Sequence, residues 1–400
     1  ISILMKKISA TFIFLFASLH AIAQDVTLIQ PDTTVSVQAS DNKLQSTTKK
    51  LNIVSRVLNY FKESNKEKKT KKFDISFIGG PHYSTDTKLG FAIVASGLYR
   101  TSLTDSLQIP SNVSIYTDVS TVGFYKFGLY GTHIFTGDKQ RINYSTSFFS
   151  FPSYFWGIGY NMSDDNSNKS KMKRWQYKLQ ANWLFSPVEN LFIGPAIAVN
   201  FVTARDVERP QLLNGQRRNT VNFGAGFTML YDTRDNLTAP HRGLRLELSQ
   251  IVRPKFIGNY YSFSTTDLHT SGYLPIWRGA LLAADFQTLL NFGNPSWGMM
   301  ALLGNSDIMR GYYEGRYRDK HKMETQLEIR QHIWRRNGIV IWAGAGTVFN
   351  KFSAIRMKHI LPNYGLGYRW EFKKNVNIRL DYGFGKAGQG GFIFNINEAF

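Results

Sequence analysis

The sequence predicts an all-β chain that closes into a 16-stranded antiparallel transmembrane β-barrel of the outer-membrane type. Three observations lead there: an N-terminal export signal, long segments whose apolar residues recur at every second position, and 14% aromatic residues with no cysteine. A period of two marks a strand, because successive side chains leave a strand on opposite faces. An exported chain without cysteine has no disulfide framework to staple a small core, so these 400 residues must fold by one large cooperative scheme. An exported β-sandwich would alternate in the same way with its apolar face turned inward. Strands of about 9 to 11 residues with aromatic ends favour lipid outside and a polar lumen within.

The elements follow in order. Met5-Lys6-Lys7 gives a positive start, Ile8 to Leu19 an apolar core, and Ala21-Ile22-Ala23 a small-x-small cleavage site before Gln24. Residues 1–23 are therefore expected to be a signal peptide, with 1–4 arising from upstream translation. Its apolar core of about 12 residues falls short of the roughly 20 that a spanning helix needs. Residues 24–72 read as a polar periplasmic tether, ending in KESNKEKKTKK from Lys62 to Lys72. Within it Leu51, Val54, Leu58 and Phe61 share one helical face, opposite Lys49, Lys50 and Arg56. Such a helix would lie on the inner leaflet or plug the lumen; a solvated tether is the plain alternative.

The barrel is expected over residues 73–400. Its alternating segments fall at 73–84, 88–100, 112–123, 124–136, 139–150, 171–185, 190–203 and 219–232, then at 242–253, 259–273, 278–291, 322–334, 338–348, 363–373, 375–385 and 389–400. Val221 to Asp232 shows the pattern: Val221, Phe223, Ala225, Phe227, Met229 and Tyr231 alternate with Asn222, Gly224, Gly226 and Thr228. Val376, Ile378, Leu380, Tyr382 and Phe384 likewise face away from Asn377, Arg379, Asp381 and Gly383. Long polar connections such as Asp164 to Arg174 and Asp206 to Arg218 are expected outside the cell. Short turns such as Lys373-Lys374-Asn375 are expected in the periplasm.

The formal charge of +20 is dispersed, and its one dense basic run sits in the tether, so nucleic acid is not the expected partner. Outer-membrane lipids and the phosphates of lipopolysaccharide are. His82, His133, His241, His269, His321, His332 and His359 show no metal spacing, and no cofactor is expected.

Between 291 and 322 runs a connection of about 30 residues that contains IMRGYYEGRYRD, Ile308 to Asp319. Loops of that length are usually functional. The strand after it, METQLEIRQH, places Met323, Thr325, Leu327 and Ile329 on the lipid face and Glu324, Gln326, Glu328 and Arg330 on the lumen face. A loop that folds inward brings Arg310 to these carboxylates, where a bidentate pair is geometrically specific.

An Arg-Gly-Tyr loop, a following strand with an inward Glu and a Gly-Thr-Val-Phe strand end resemble the BamA/TamA superfamily of outer-membrane assembly and secretion barrels. YDTRDNLTAPHRGLRLEL, Tyr231 to Leu248, resembles that family's recurring strand-turn-strand motif, and the similarity covers roughly residues 73–400. The resemblance implies that Arg310, Gly311 and Tyr312 are the tip of a loop locked to the lumenal wall, with Glu328 as wall carboxylate. It assigns Asp232, Arg234, Asp235, Arg242 and Gly243 to the turn. Three departures stand out. Gly344 occupies the place of a second wall acid, for which Glu324 or Glu371 is expected to substitute. The 48 residues from Asp25 to Lys72 are too few for a POTRA domain, so a form lacking POTRA domains is expected. Phe392, Phe394, Ile396 and Phe400 make the alternating C-terminal strand signal of a barrel substrate, which Glu398 interrupts.

Gly388, Gly390 and Gly391 make the approach of the last strand and pair poorly, so the junction of first and last strands is expected to be weak. A seam that opens sideways offers backbone groups to an incoming strand. The implied function is insertion, assembly or translocation of unfolded client membrane proteins or lipoproteins at the outer membrane of a Gram-negative bacterium. A periplasmic accessory protein would replace the missing domains. Two other readings stay open: a passive or substrate-specific channel in which Arg310 only fastens its loop, and a remote one, a hydrolase using His241 near Asp232. No catalytic spacing singles out the latter, and an enzyme is not expected.

Overall fold

The computed structural model describes residues 73–84, 87–99, 111–237, 239–373 and 376–400. The expected signal peptide, the tether with its helix, and Lys374 and Asn375 of the short turn lie outside the described residues. Eight strands form the first half: β1 (Phe73–Ser84), β2 (Lys88–Tyr99), β3 (Ser111–Ser120), β4 (Tyr125–Ile134), β5 (Gln140–Phe155), β6 (Ser170–Val188), β7 (Leu191–Arg205) and β8 (Asn219–Asp232). The second half holds β9 (Gly243–Arg253), β10 (Phe263–Trp277), β11 (Ala280–Gly293), β14 (His321–Trp334), β15 (Asn337–Phe349), β16 (Leu361–Lys373), β17 (Val376–Gly385) and β18 (Gly390–Ile396). Two short strands, β12 (Ala301–Leu302) and β13 (Arg318–Asp319), pair only with each other, inside the connection between β11 and β14.

The sixteen remaining strands form one closed antiparallel barrel in chain order, as the alternation predicts. Closure satisfies backbone donors and acceptors that a bilayer cannot. No described helix is long and apolar enough to cross a membrane. The outward face is greasy: Phe127 is 58% exposed, Ile341 54% and Leu366 60%. On the same strands Trp342 and Arg369 point inward and are buried. Loops 156–169, 206–218, 254–262, 294–320 and 350–360 share one end, the extracellular end by their length.

Two boundaries differ instructively. β10 begins at Phe263 rather than 259, because Asn259 belongs to a rim turn: its side chain accepts from Phe223 N at 2.7 Å and donates to the Pro254 carbonyl at 2.9 Å. The last strand ends at Ile396 rather than 400. Asn397 takes a left-handed φ of 71°, which breaks the extension, and Phe400 packs against Tyr273 instead of continuing the outward row. Phe400 is therefore no part of the strand that carries Phe392, Phe394 and Ile396.

The barrel's upper lumen is filled by its own loops. One buried cluster joins Leu303, Ile308, Met309, Tyr312 and Tyr317 of the 294–320 loop to Tyr160, Val348 and Leu361. A second joins Trp297 to Phe155, Met172, Val202, Leu212 and Leu213. At the seam, a single registered pair, Tyr83 opposite Phe394, joins β1 to β18, whereas β1 is registered with β2 along its whole length.

Candidate functional site

The tip of the 294–320 loop is built locally. Asn305 Oδ1 accepts the backbone N–H groups of Asp307 at 2.7 Å and Ile308 at 2.8 Å, an Asx turn that reverses the chain just before the arginine. Met309 and Gly311 then adopt positive φ, 52° and 97°. Glycine is required at 311 for a second reason: a Cβ there would lie 2.5 Å from the Gly383 carbonyl oxygen. Gly383 on β17 is its counterpart, since a Cβ there would lie 2.1 Å from the Arg310 carbonyl.

With the tip so placed, Arg310 is wholly buried between two acids. Its Nη1 donates to Asp381 Oδ2 at 2.6 Å and its Nη2 donates to Glu328 Oε2. The guanidinium lies 3.5 Å from the centroid of the Trp342 ring, so charge, fork geometry and stacking act together. Asn363 fixes the backbone as well, donating to the Arg310 carbonyl at 2.5 Å while accepting from Trp342 Nε1 at 3.0 Å. Tyr312 follows with its hydroxyl donating to the Pro362 carbonyl at 2.7 Å and accepting from Lys386 N at 2.7 Å. Burial of that phenol pushes its pKa up to about 12.

Sequence reasoning named Arg310 and Glu328, and the structure brings them together. The second acid is Asp381, on β17, three strands from Glu328 on β14. At Gly344, where a second wall acid is expected, a Cβ would lie 2.5 Å from the Thr325 carbonyl oxygen. Glu324 serves the loop's shoulder rather than its tip: it accepts from Gly304 N at 3.0 Å and from Lys322 Nζ at 2.5 Å. Glu371 lies near the inner end of β16, two residues beyond Arg369. A signal for Asp381 was present, since it stands in the inward set of its strand beside Arg379.

The turn motif is closed on itself at the opposite, inner rim. Arg234 donates to Asp232 through Nε at 2.9 Å and Nη2 at 2.7 Å. Asp235 Oδ1 accepts the N–H groups of His241 at 2.9 Å and Arg242 at 3.2 Å. Partial burial raises the Asp235 pKa, but these backbone donors outweigh it and hold the carboxyl below its ordinary value. Gly243 has φ 111°, and a Cβ there would meet the Thr233 carbonyl at 2.4 Å.

On the hydrolase question, His241 is 68% exposed in its side chain and faces Asp235 at 3.9 Å, with Asp232 held by Arg234. A Ser, His and Asp do meet elsewhere in the lumen, which sequence spacing did not reveal. His269 Nε2 lies 2.7 Å from Asp285, and Ser271 Oγ lies 2.6 Å from the same carboxylate oxygen. Arg245 faces His269 Nδ1 at 3.0 Å and can only donate, so a neutral His269 carries its proton on Nε2. Both His269 and Ser271 then donate to Asp285, and the serine has no base. Among the described residues, no group of three or more His, Asp and Glu side chains is arranged to hold a metal.

A closed barrel of sixteen strands with an apolar belt, whose longest loop folds into its own lumen and is pinned to the wall by an arginine, is an integral, multi-pass membrane protein of the outer-membrane type. The family follows from the sequence profile: residues 110–400 match the Omp85 superfamily domain, and the chain belongs to that superfamily. A search of curated protein sequences returns no match. Among solved structures it resembles BamA from Haemophilus ducreyi lacking POTRA domains 1–3, at 13% identity and TM-score 0.55 over 80% of this chain and 69% of that one. It also resembles CdiB from Acinetobacter baumannii, at 12% identity and TM-score 0.52, and CdiB from Escherichia coli, at 11% and 0.55. Each covers 82% of this chain, which spans 60% and 63% of them respectively. At such identities the likeness is one of fold.

Proposed function

We propose that this barrel assists the insertion, assembly or translocation of client proteins at the outer membrane, in the manner of the BamA/TamA branch, through its β1–β18 seam. The observation that carries the reading is the contrast between a firmly held loop and a barely held seam. Arg310 is tied by two buried ion pairs, while one registered pair joins first strand to last. An unpaired strand edge is a template for an incoming strand, and clients of this class are themselves β-chains. Arg310, Gly311 and Tyr312 act as the lock that holds the loop in the lumen while the wall deforms. The surroundings are outer-membrane lipid and lipopolysaccharide, and a periplasmic accessory protein delivers the client.

A channel is the second reading, favoured by a cavity of about 350 Å³ in the lumen whose lining includes the charged and polar side chains of Lys178, Asn200, Glu247, Arg253, Asp267 and His269. The test uses the absence of native cysteine. A disulfide between Tyr83→Cys and Phe394→Cys should stop acceleration of client insertion in proteoliposomes, and reduction should restore it. Undiminished insertion with the seam cross-linked would refute the seam; unchanged ion conductance with no insertion in either state would favour the channel.

A further inference from the structure

The chain beyond β18 does not hang free. After Asn397, Glu398 turns into the lumen, where its carboxylate is buried and accepts from Arg369 Nε at 2.8 Å and from Asn377 Nδ2 at 2.6 Å. Arg330 Nε stands 3.6 Å away. Two residues on, the Phe400 ring lies 6.3 Å from the Tyr273 ring with the Arg330 guanidinium 5.0 Å from its centroid, and Arg330 Nη2 donates to the Phe400 carbonyl at 3.0 Å. Carboxylate and aromatic are each met by a matched surface.

Both arginines of this surface have a second duty. Arg369 Nη1 donates to Asp381 Oδ1 at 2.6 Å, and Arg330 Nε donates to Glu328 Oε1 at 2.7 Å. Asp381 and Glu328 are the two acids that hold Arg310. The charges therefore close a circuit of alternating sign, Arg310, Glu328, Arg330, Glu398, Arg369, Asp381 and back to Arg310, with every side chain at most 10% exposed. Within such a circuit each carboxylate screens the repulsion between the two arginines it touches. Removing one leaves like charges facing each other where water cannot replace it.

We propose that Arg330, Arg369, Asn377 and Tyr273 form an inner-wall receptor for a chain segment bearing a carboxylate and, two residues later, an aromatic ring. Residues 398–400 occupy it in cis, and its occupancy is coupled to the Arg310 lock through the shared arginines. Glu398 is thus a positioning residue: it acts on the loop through Arg330 and Arg369 rather than by touching it. The consequence is a mechanical link between the end of the seam strand and the loop, which goes beyond the insertion reading and is testable without any client.

Two buried reporters suffice, Ala399→Cys for the receptor and Ile308→Cys for the lock, each in the full chain in proteoliposomes and labelled with a hydrophilic maleimide. Glu398→Gln, which keeps shape and hydrogen bonding but removes the charge, should speed labelling at both positions by about five-fold or more. Arg310→Lys should speed labelling at Ala399→Cys by a similar factor, because coupling between two sites is reciprocal. Barrels that retain heat-modifiable migration count as folded. Should Glu398→Gln fail that criterion, Phe400→Ala removes only the aromatic half and should also expose Ala399→Cys. Equal labelling of Ala399→Cys with and without Glu398 or Phe400 overturns the receptor. An effect of Glu398→Gln at Ala399→Cys that never reaches Ile308→Cys overturns the coupling.

Discussion

Two clusters of aspartate and arginine, both flagged by motif, behave oppositely in this barrel. Arg310 sits on a loop and its partners come from β14 and β17, up to 71 residues away in sequence, and none is exposed. Around Arg234 the ion-pair partner, Asp232, is two residues away, and both side chains touch solvent. The first cluster ties remote parts of the molecule together where the dielectric is low; the second holds the chain that connects β8 to β9. An Asp–Arg pair gains long-range consequence from burial and from the number of elements it joins.

The largest effect should come from Arg310→Ala. It leaves Glu328 and Asp381 buried with one fewer cation, which costs about 3–5 kcal/mol, read as a lowered unfolding midpoint in detergent and as protease sensitivity within the 294–320 loop. Glu328→Gln and Asp381→Asn should each cost less, about 1–3 kcal/mol, because the amide oxygen keeps one of the two arginine hydrogen bonds while the charge and the other bond are lost. Their double variant should cost less than the sum, since both act on one guanidinium; strict additivity would dissolve the cluster as a unit. At the turn, Arg234→Ala should change the same midpoint by no more than about 1 kcal/mol. A loss as large as that of Arg310→Ala would erase the contrast.

The smallest effect is one of pH. Asp235 has its pKa depressed in the folded turn, so its contribution is present above the ordinary carboxylate value and is lost as pH falls through the folded value. Protection of the His241 and Arg242 amides against hydrogen exchange should therefore fall on acidification and be low at all pH in Asp235→Asn.

Much of this was legible in the residues. Period two revealed the strands and their faces, and the inward set of METQLEIRQH put Glu328 where Arg310 finds it. Asp381 lay in the inward set of its own strand, yet its pairing depends on how deep the loop descends, which alternation does not encode. Glu398 read as an interruption because the strand was carried on to 400. One left-handed residue, Asn397, redirects the chain and makes that glutamate a buried partner of two arginines. The start of β10 shifted for a similar reason, a side chain, Asn259, bonding the rim.

The proposed role of the Arg310 lock is to serve a barrel that inserts clients. It is tested most directly by following an unfolded, labelled outer-membrane barrel as it enters proteoliposomes containing this protein, wild type beside Arg310→Ala and Arg234→Ala. Wild type and Arg234→Ala should accelerate insertion, and Arg310→Ala should not. Equal acceleration by all three, or by none, would contradict that role.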